Sequence, residues 1–296
     1  MSDLIGLIKQ LRDRTGAGLM DCKRALVENG EDIEKAALWL REKGIAKQEK
    51  KASRTAAEGV AWVMTSGDKA AVIEINCETD FVANSDPFRD LVKKVNEIVL
   101  DKAPSDKEAA MECVDKDGKT IHDLFIDAGI KLGEKLDFRR FALVTKTPDE
   151  VFAPYVHMNG KIATLAVVKG EKANDVATGI ALNICNDNPT YITEADIPAD
   201  VIAKETAIEK EASLNDPSFA KKPANIQEKI IEGRVKKNLG SSVLTNQVYI
   251  LDQDKTVGQV LKETNTSVVT FVRYAVGEGI EKKQEDFAAE VASQIK

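Results

Sequence analysis

Two stretches far apart in the chain spell out one plan, and this repetition constrains the fold more than any other feature. Residues 62–76, WVMTSGDKAAVIEIN, and residues 155–170, YVHMNGKIATLAVVKG, each read as a strand, a tight glycine-containing turn and a second strand. A helical apolar period follows each, DPFRDLVKKVNEIVL at 86–100 and KANDVATGIALNIC at 172–185. Further on, KTIHDLF and FRRFALV, within residues 119–144, are echoed by KTVGQVL and FVRYAVG, within 255–277. Phe138, Arg140, Phe141 and Ala142 thereby correspond to Phe271, Arg273, Tyr274 and Ala275. Two α+β halves of one design are predicted, over residues 60–146 and 147–278.

The halves differ by insertions, which is where function is expected to have been added. Between its hairpin and its helix the first half carries NCETDFVANSDPF, residues 76–88, where the second half has only residues 170–172. This loop sets Phe81 directly after Asp80, among the turn formers Thr79, Asn84, Ser85, Asp86 and Pro87. Strand alternation through Ile73, Ile75 and Cys77 continues to Thr79 and Phe81. Phe81 is therefore either a ring folded back onto the core or an apolar wedge at a rigid loop tip, and spacing leaves both open. The second half's insertion spans residues 187–250. In it IPADVIAKETAIEKEASLN and KPANIQEKIIEGRVKKNLG, separated around DPSFAKKP, predict an antiparallel helical hairpin over about 196–240, either projecting from the body or packed along it.

Ahead of the repeat, Leu4, Ile5, Ile8 and Leu11, then Cys22, Ala25 and Leu26, then Ile33, Ala36, Ala37 and Leu40 recur at helical spacing. They predict a three-helix module over residues 1–45, punctuated by Gly16, Gly18, Gly30 and Gly44. Gly30 and Gly44 fit the left-handed position past a helix end, and Glu31 and Asp32 suit the positive amino end of the third helix. The apolar pair Leu19 and Met20 either closes this small bundle or offers a docking surface. Residues 46–59, AKQEKKASRTAAEG, with Lys47, Lys50, Lys51 and Arg54, read as a solvated helical linker or a surface that contacts anions. Residues 279–296 follow the second half.

Composition excludes several classes. The chain of 296 residues is 43% apolar and 31% charged, an ordinary globular balance. Its net charge of -7 argues against a nucleic acid as the main partner, because phosphate binding needs a concentrated positive field. No charge-free apolar segment approaches membrane length, and the opening MSDLIGLIKQLRDR lacks the basic start, apolar block and cleavage site of a signal peptide, so a cytoplasmic location is expected. Cys22, Cys77, Cys113 and Cys185 are scattered without a CxxC pair and only His122 and His157 accompany them, so small buried hydrophobes are expected rather than a zinc site or disulfides. CVDKDGKT has Cys113 where a phosphate loop needs its first glycine, and TGAGLMD has Asp21 where a dinucleotide loop needs one. Both read as helix punctuation. No catalytic constellation, metal site or cofactor is expected.

LRDRTGAGLMDCKRAL at residues 11–26, NCETDFVAN at 76–84, and VGEGIEK with DFAAEVA near the end closely resemble bacterial translation elongation factor Ts. The likeness runs over essentially the whole chain, although no family motif aligns with residues 101–120. It implies an amino-terminal UBA-like module, a core of two related subdomains, a helical hairpin insert and a terminal helical module. It also implies a non-enzymatic role in protein biosynthesis: guanine-nucleotide exchange on elongation factor Tu in the cytoplasm, with no direct nucleic-acid or membrane contact. A heterodimer or heterotetramer with that partner is expected. By the same resemblance Thr79, Asp80, Phe81 and Val82 form the loop that enters the partner's GTPase domain and dislodges its magnesium ion. Arg12, Leu19, Met20 and Lys23 match the docking surface of the amino-terminal module, His157 faces the partner's other domains, and Ile250 and Leu251 make further contacts.

Overall fold

The computed structural model describes residues 4–214, 217–220 and 222–281. They form two compact units, one from the described parts of Met1–Val144, Val156–Ala163 and Tyr274–Lys296, the other from Thr145–Tyr155 and Thr164–Arg273. The fold is α+β, with three helices ahead of a sheet-containing core. Of the terminal module expected over 279–296, everything from residue 282 on lies outside the described residues.

The first unit opens with helices α1 (Leu4–Thr15), α2 (Leu19–Glu28) and α3 (Ile33–Lys51). Leu11, Cys22, Ala25, Leu26 and Ala36, fully buried at helical spacing, make their shared core. Gly18 caps the start of α2, and Asp32 accepts the Lys35 backbone N–H at 3.0 Å to cap α3, which also holds its carboxyl below the usual range. Gly30 takes the left-handed φ of 63° expected of it. Gly44 does not. It lies inside α3, which runs on to Lys51. A Cβ there would sit 2.2 Å from Ile130 Cδ1, so this glycine provides room for a side chain rather than a turn. The helix thereby packs against α7 (Ile121–Leu132), with an Arg41–Asp123 ion pair beside the contact.

Strands β1 (Glu58–Ser66) and β2 (Lys69–Cys77) pair antiparallel across the Gly67 turn, and β3 (Asp137–Thr145) completes a sheet of order β1-β2-β3. Between β2 and β3 lie α4 (Asp80–Ala83), α5 (Asp86–Lys102), α6 (Lys107–Met111) and α7. Helix α5 buries Phe88, Leu91, Val92, Val95 and Val99 against Ala71, Ile73 and Ile75 of β2. Fully burying each such side chain contributes about 1.5–3 kcal/mol. As the middle strand, β2 is buried on both faces from Ala70 to Cys77, so its period-2 pattern has no solvent side.

The plan repeats over residues 147–278, most of which lie in the second unit. Strands β4 (Glu150–His157) and β5 (Ile162–Lys169) are followed by α8 (Ala173–Asp187). The insert carries α9 (Ala199–Leu214), α10 (Pro217–Ala220), α11 (Ala224–Gly240) and the short strand β6 (Val248–Tyr249), which pairs with β7 (Asp252–Thr256) just past the insert. Helix α12 (Val257–Thr264) and strand β8 (Ser267–Ala275) close a sheet of order β4-β5-β8. The matched KT motifs do the same job in both halves. Thr120 and Thr256 are N-caps with reciprocal boxes to Asp123 and Gln259, and each capped helix ends left-handed, at Gly133 and Asn265. Gly179 of α8 faces Tyr249, whose hydroxyl would lie 2.0 Å from any Cβ there. The helical hairpin is antiparallel: Asn238 bonds Glu205 and Glu209, while Arg234 bonds Ser213.

Candidate functional site

Strand β2 stops at Cys77, and the chain turns at Glu78 and Thr79 into the single helical turn of α4. Thr79 has extended dihedrals and its hydroxyl accepts the Val82 N–H at 3.3 Å, so it is an N-cap that ends the strand and starts the turn. Asn84 and Ser85 close the other side, donating to the carbonyls of Asp80 at 2.9 Å and Val82 at 2.8 Å. Within this clasp burial alternates sharply. Ala83 is buried, Val82 is half-buried against the first core, Asp80 is exposed, and Phe81 is 84% exposed. Of the two readings left open by spacing, the folded-back ring is excluded for the free chain.

The loop is braced from below and from the side. The Glu134 carboxylate accepts the N–H groups of Glu78 and Thr79, each at 3.0 Å, and the Thr79 hydroxyl. Cys77 Sγ donates to the Thr79 carbonyl at 3.2 Å, and burial, with the Glu134 and Glu58 carboxylates adding to it, pushes this thiol up to about 12. At the side, Arg89 of α5 donates to the Asn159 carbonyl at 2.9 Å and to Asn84 Oδ1 at 3.3 Å, which Asn159 also reaches at 3.4 Å. These bonds join the Phe81 loop to the turn Met158–Gly160, where Met158 and Asn159 take left-handed φ values of 45° and 55°. Met158 is 68% exposed and its neighbour His157 is half-buried. Two exposed apolar side chains and a histidine are thus gathered in one part of the first unit.

Among the other expected contact residues, Arg12 on α1 and Leu19, Met20 and Lys23 on α2 are all exposed, whereas the bundle core is made without them. The structure thus separates Leu19 and Met20 from bundle closure. Ile250 and Leu251 form the turn between β6 and β7 in the second unit, both exposed and held where Asn183 Oδ1 accepts the Ile250 N–H at 2.9 Å. Met158, Arg89, Asn159 and Glu134 did not stand out in the sequence. Met158 carried a usable sign, a large apolar residue in an Asn-Gly turn, the same anomaly that marks Phe81. Glu134 carried none, since its partners lie far away in sequence.

Among the described residues no group of three or more His, Cys, Asp or Glu is arranged to hold a metal ion, and no helix is long and apolar enough to cross a membrane. The family model for elongation factor Ts matches residues 78–278, a span that begins at the loop carrying Phe81 and runs through both halves of the core. That span is well over half of the 296 residues, and the chain therefore belongs to the elongation factor Ts family of translation elongation factors.

Proposed function

We propose that this chain is a guanine-nucleotide exchange factor that binds elongation factor Tu carrying GDP and speeds GDP release by displacing its magnesium ion. The observation that carries this reading is Phe81, a large ring left 84% exposed beside the carboxylate of Asp80 on a clasped turn. Exposing such a ring forgoes about 1.5–3 kcal/mol of burial in the free protein, which insertion into a partner recovers.

The mechanism needs no reaction by this chain. Magnesium demands near-octahedral geometry at about 2.0–2.1 Å, so a wedge that shifts the elements holding the ion expels it and leaves the nucleotide phosphates without their counter-charge. Thr79 caps the turn, Asp80 presents the charge, Phe81 supplies volume, and Val82 anchors the turn to the core. Arg12, Leu19, Met20 and Lys23 on the UBA-like module dock the partner, and His157, Ile250 and Leu251 add contacts. Because linkage is reciprocal, returning nucleotide must loosen the complex equally, and a thousandfold coupling corresponds to about 4 kcal/mol. The complex is a heterodimer or heterotetramer acting in the cytoplasm.

The test is release of a fluorescent GDP from elongation factor Tu with increasing amounts of this chain. The reading predicts a rate that rises and saturates. A rate equal to spontaneous release at every concentration would exclude it.

A further inference from the structure

The segment that presents Phe81 is a single helical turn, too short to hold its own shape, and what fixes it is not in the loop. The N–H groups of Glu78 and Thr79 fall between the end of β2 and the start of α4, where neither ladder nor helix supplies an acceptor. Glu134, one residue past the left-handed end of α7, supplies both from one oxygen and takes the Thr79 hydroxyl on the other. The bond is returned: Glu78 Oε1 accepts the Lys135 N–H at 2.6 Å, so each corner of the chain holds the main chain of the other. Lys135 Nζ extends the clamp to the carbonyls of Ala52 at 2.7 Å and Arg54 at 2.8 Å, and Arg54 pairs with Glu78 at 3.2 Å. Thr79 is thereby gripped through both its backbone and its side chain, two positions before Phe81.

We propose that Glu134 is a positioning residue for nucleotide release: it makes no contact with the nucleotide, and its clamp on Glu78 and Thr79 fixes the direction in which Asp80 and Phe81 leave the surface. This rests on the wedge reading above. Preorganisation of this kind acts on the rate at saturation rather than on docking, because docking surfaces elsewhere still hold the partner.

The test compares full-length wild type, Glu134→Ala, Glu134→Gln, Phe81→Ala and the Glu134→Ala/Phe81→Ala double variant. It measures saturated release of fluorescent GDP from elongation factor Tu, and amide hydrogen exchange over residues 78–84 in the free protein. Glu134→Ala is expected to speed loop amide exchange and to lower the saturated release rate about tenfold. Glu134→Gln, which keeps an oxygen for the two N–H groups, restores most of both. In the Phe81→Ala background Glu134→Ala adds little, because the placement it removes no longer matters. Wild-type release by Glu134→Ala alongside slow release by Phe81→Ala overturns the role of Glu134 and leaves the wedge standing. Wild-type release by Phe81→Ala overturns the wedge, and this role with it. Losses that multiply fully in the double variant also overturn it, since Glu134 would then act somewhere other than through Phe81.

Discussion

Arg140 Nε on β3 donates to Glu74 Oε2 on β2 at 2.6 Å, joining a half-buried guanidinium to a carboxylate with no solvent exposure at all. The other Glu74 oxygen accepts from Arg139 at 2.9 Å and from the Gly277 N–H at 2.8 Å, so a charge inside a central strand is fully satisfied and ties down the chain after β8. Removing the carboxylate leaves two guanidinium groups facing a hole. Glu74→Ala is expected to cost about 3–5 kcal/mol in urea unfolding, whereas Arg140→Ala, which leaves Arg139 in place, costs less. Equal, small losses for both would contradict this account of the pair.

The thiol of Cys77 keeps its proton in the folded state up to about 12, against an ordinary 9.0, chiefly because it is buried and then because Glu134 and Glu58 are near. The folded chain therefore binds the extra proton between these values, so the stabilisation is complete below about pH 9 and is lost as pH rises towards about 12. Resistance to urea should fall across that window, and less steeply in Cys77→Ala. At pH 8, peptide-resolved alkylation should label half-exposed Cys113 at least about a hundredfold faster than Cys77, a gap that urea abolishes.

The base of the helical hairpin is tied independently of its helices: Thr190 and Tyr191 N–H groups bond the Ser242 carbonyl, and the Leu244 N–H returns to the Tyr191 carbonyl at 2.9 Å. The hairpin has its own small core of Phe219, Ile231 and Val235. Replacing residues 200–238 by a short Gly/Ser link should therefore leave a cooperatively folding protein that still releases GDP. Loss of all exchange with circular dichroism of a folded core would make the hairpin part of the release machinery.

Met20 is 69% exposed in the first turn of α2 and contributes nothing to the bundle core. Met20→Ala should leave stability within about 0.5 kcal/mol, raise the concentration needed for half-maximal release and preserve the rate at saturation. A lowered plateau would mean that the module takes part in release as well as docking.

The repeated core was legible because each half carries a Lys-Thr cap, an apolar helical period and a matched closing strand, and Thr120 and Thr256 cap their helices from corresponding positions. What escaped depended on partners remote in sequence. A glycine after a helical period marks a helix end or a close packing contact equally well, and only Ile130 tells them apart at Gly44. Glu74 stands between Ile73 and Ile75, where alternation alone offers no reason for a buried charge, and only β3 brings two arginines to it. Extrapolating the alternation of β2 to Phe81 failed to decide because the strand ends at the Thr79 cap, a hydrogen bond that spacing alone does not reveal. Of the candidate site, Phe81, Leu19 and Met20 were legible as apolar residues in turns, whereas Met158 and the clamp of Glu134 were passed over.

One stretch, NCETDFVANSDPF, holds two phenylalanines in opposite situations: Phe81 is 84% exposed and Phe88 is 0% exposed in the first core. Truncating Phe88 to alanine should cost about 3–5 kcal/mol, the ordinary cost of a cavity at a buried ring, and truncating Phe81 should cost almost nothing. The decisive measurement is the rate of GDP release from elongation factor Tu saturated with the Phe81→Ala protein, taken beside its thermal unfolding. The account predicts an unchanged melting temperature with a maximal release rate lowered at least about tenfold. An unchanged melting temperature with wild-type release at saturation would contradict it, and the exposed ring would then have no part in nucleotide exchange.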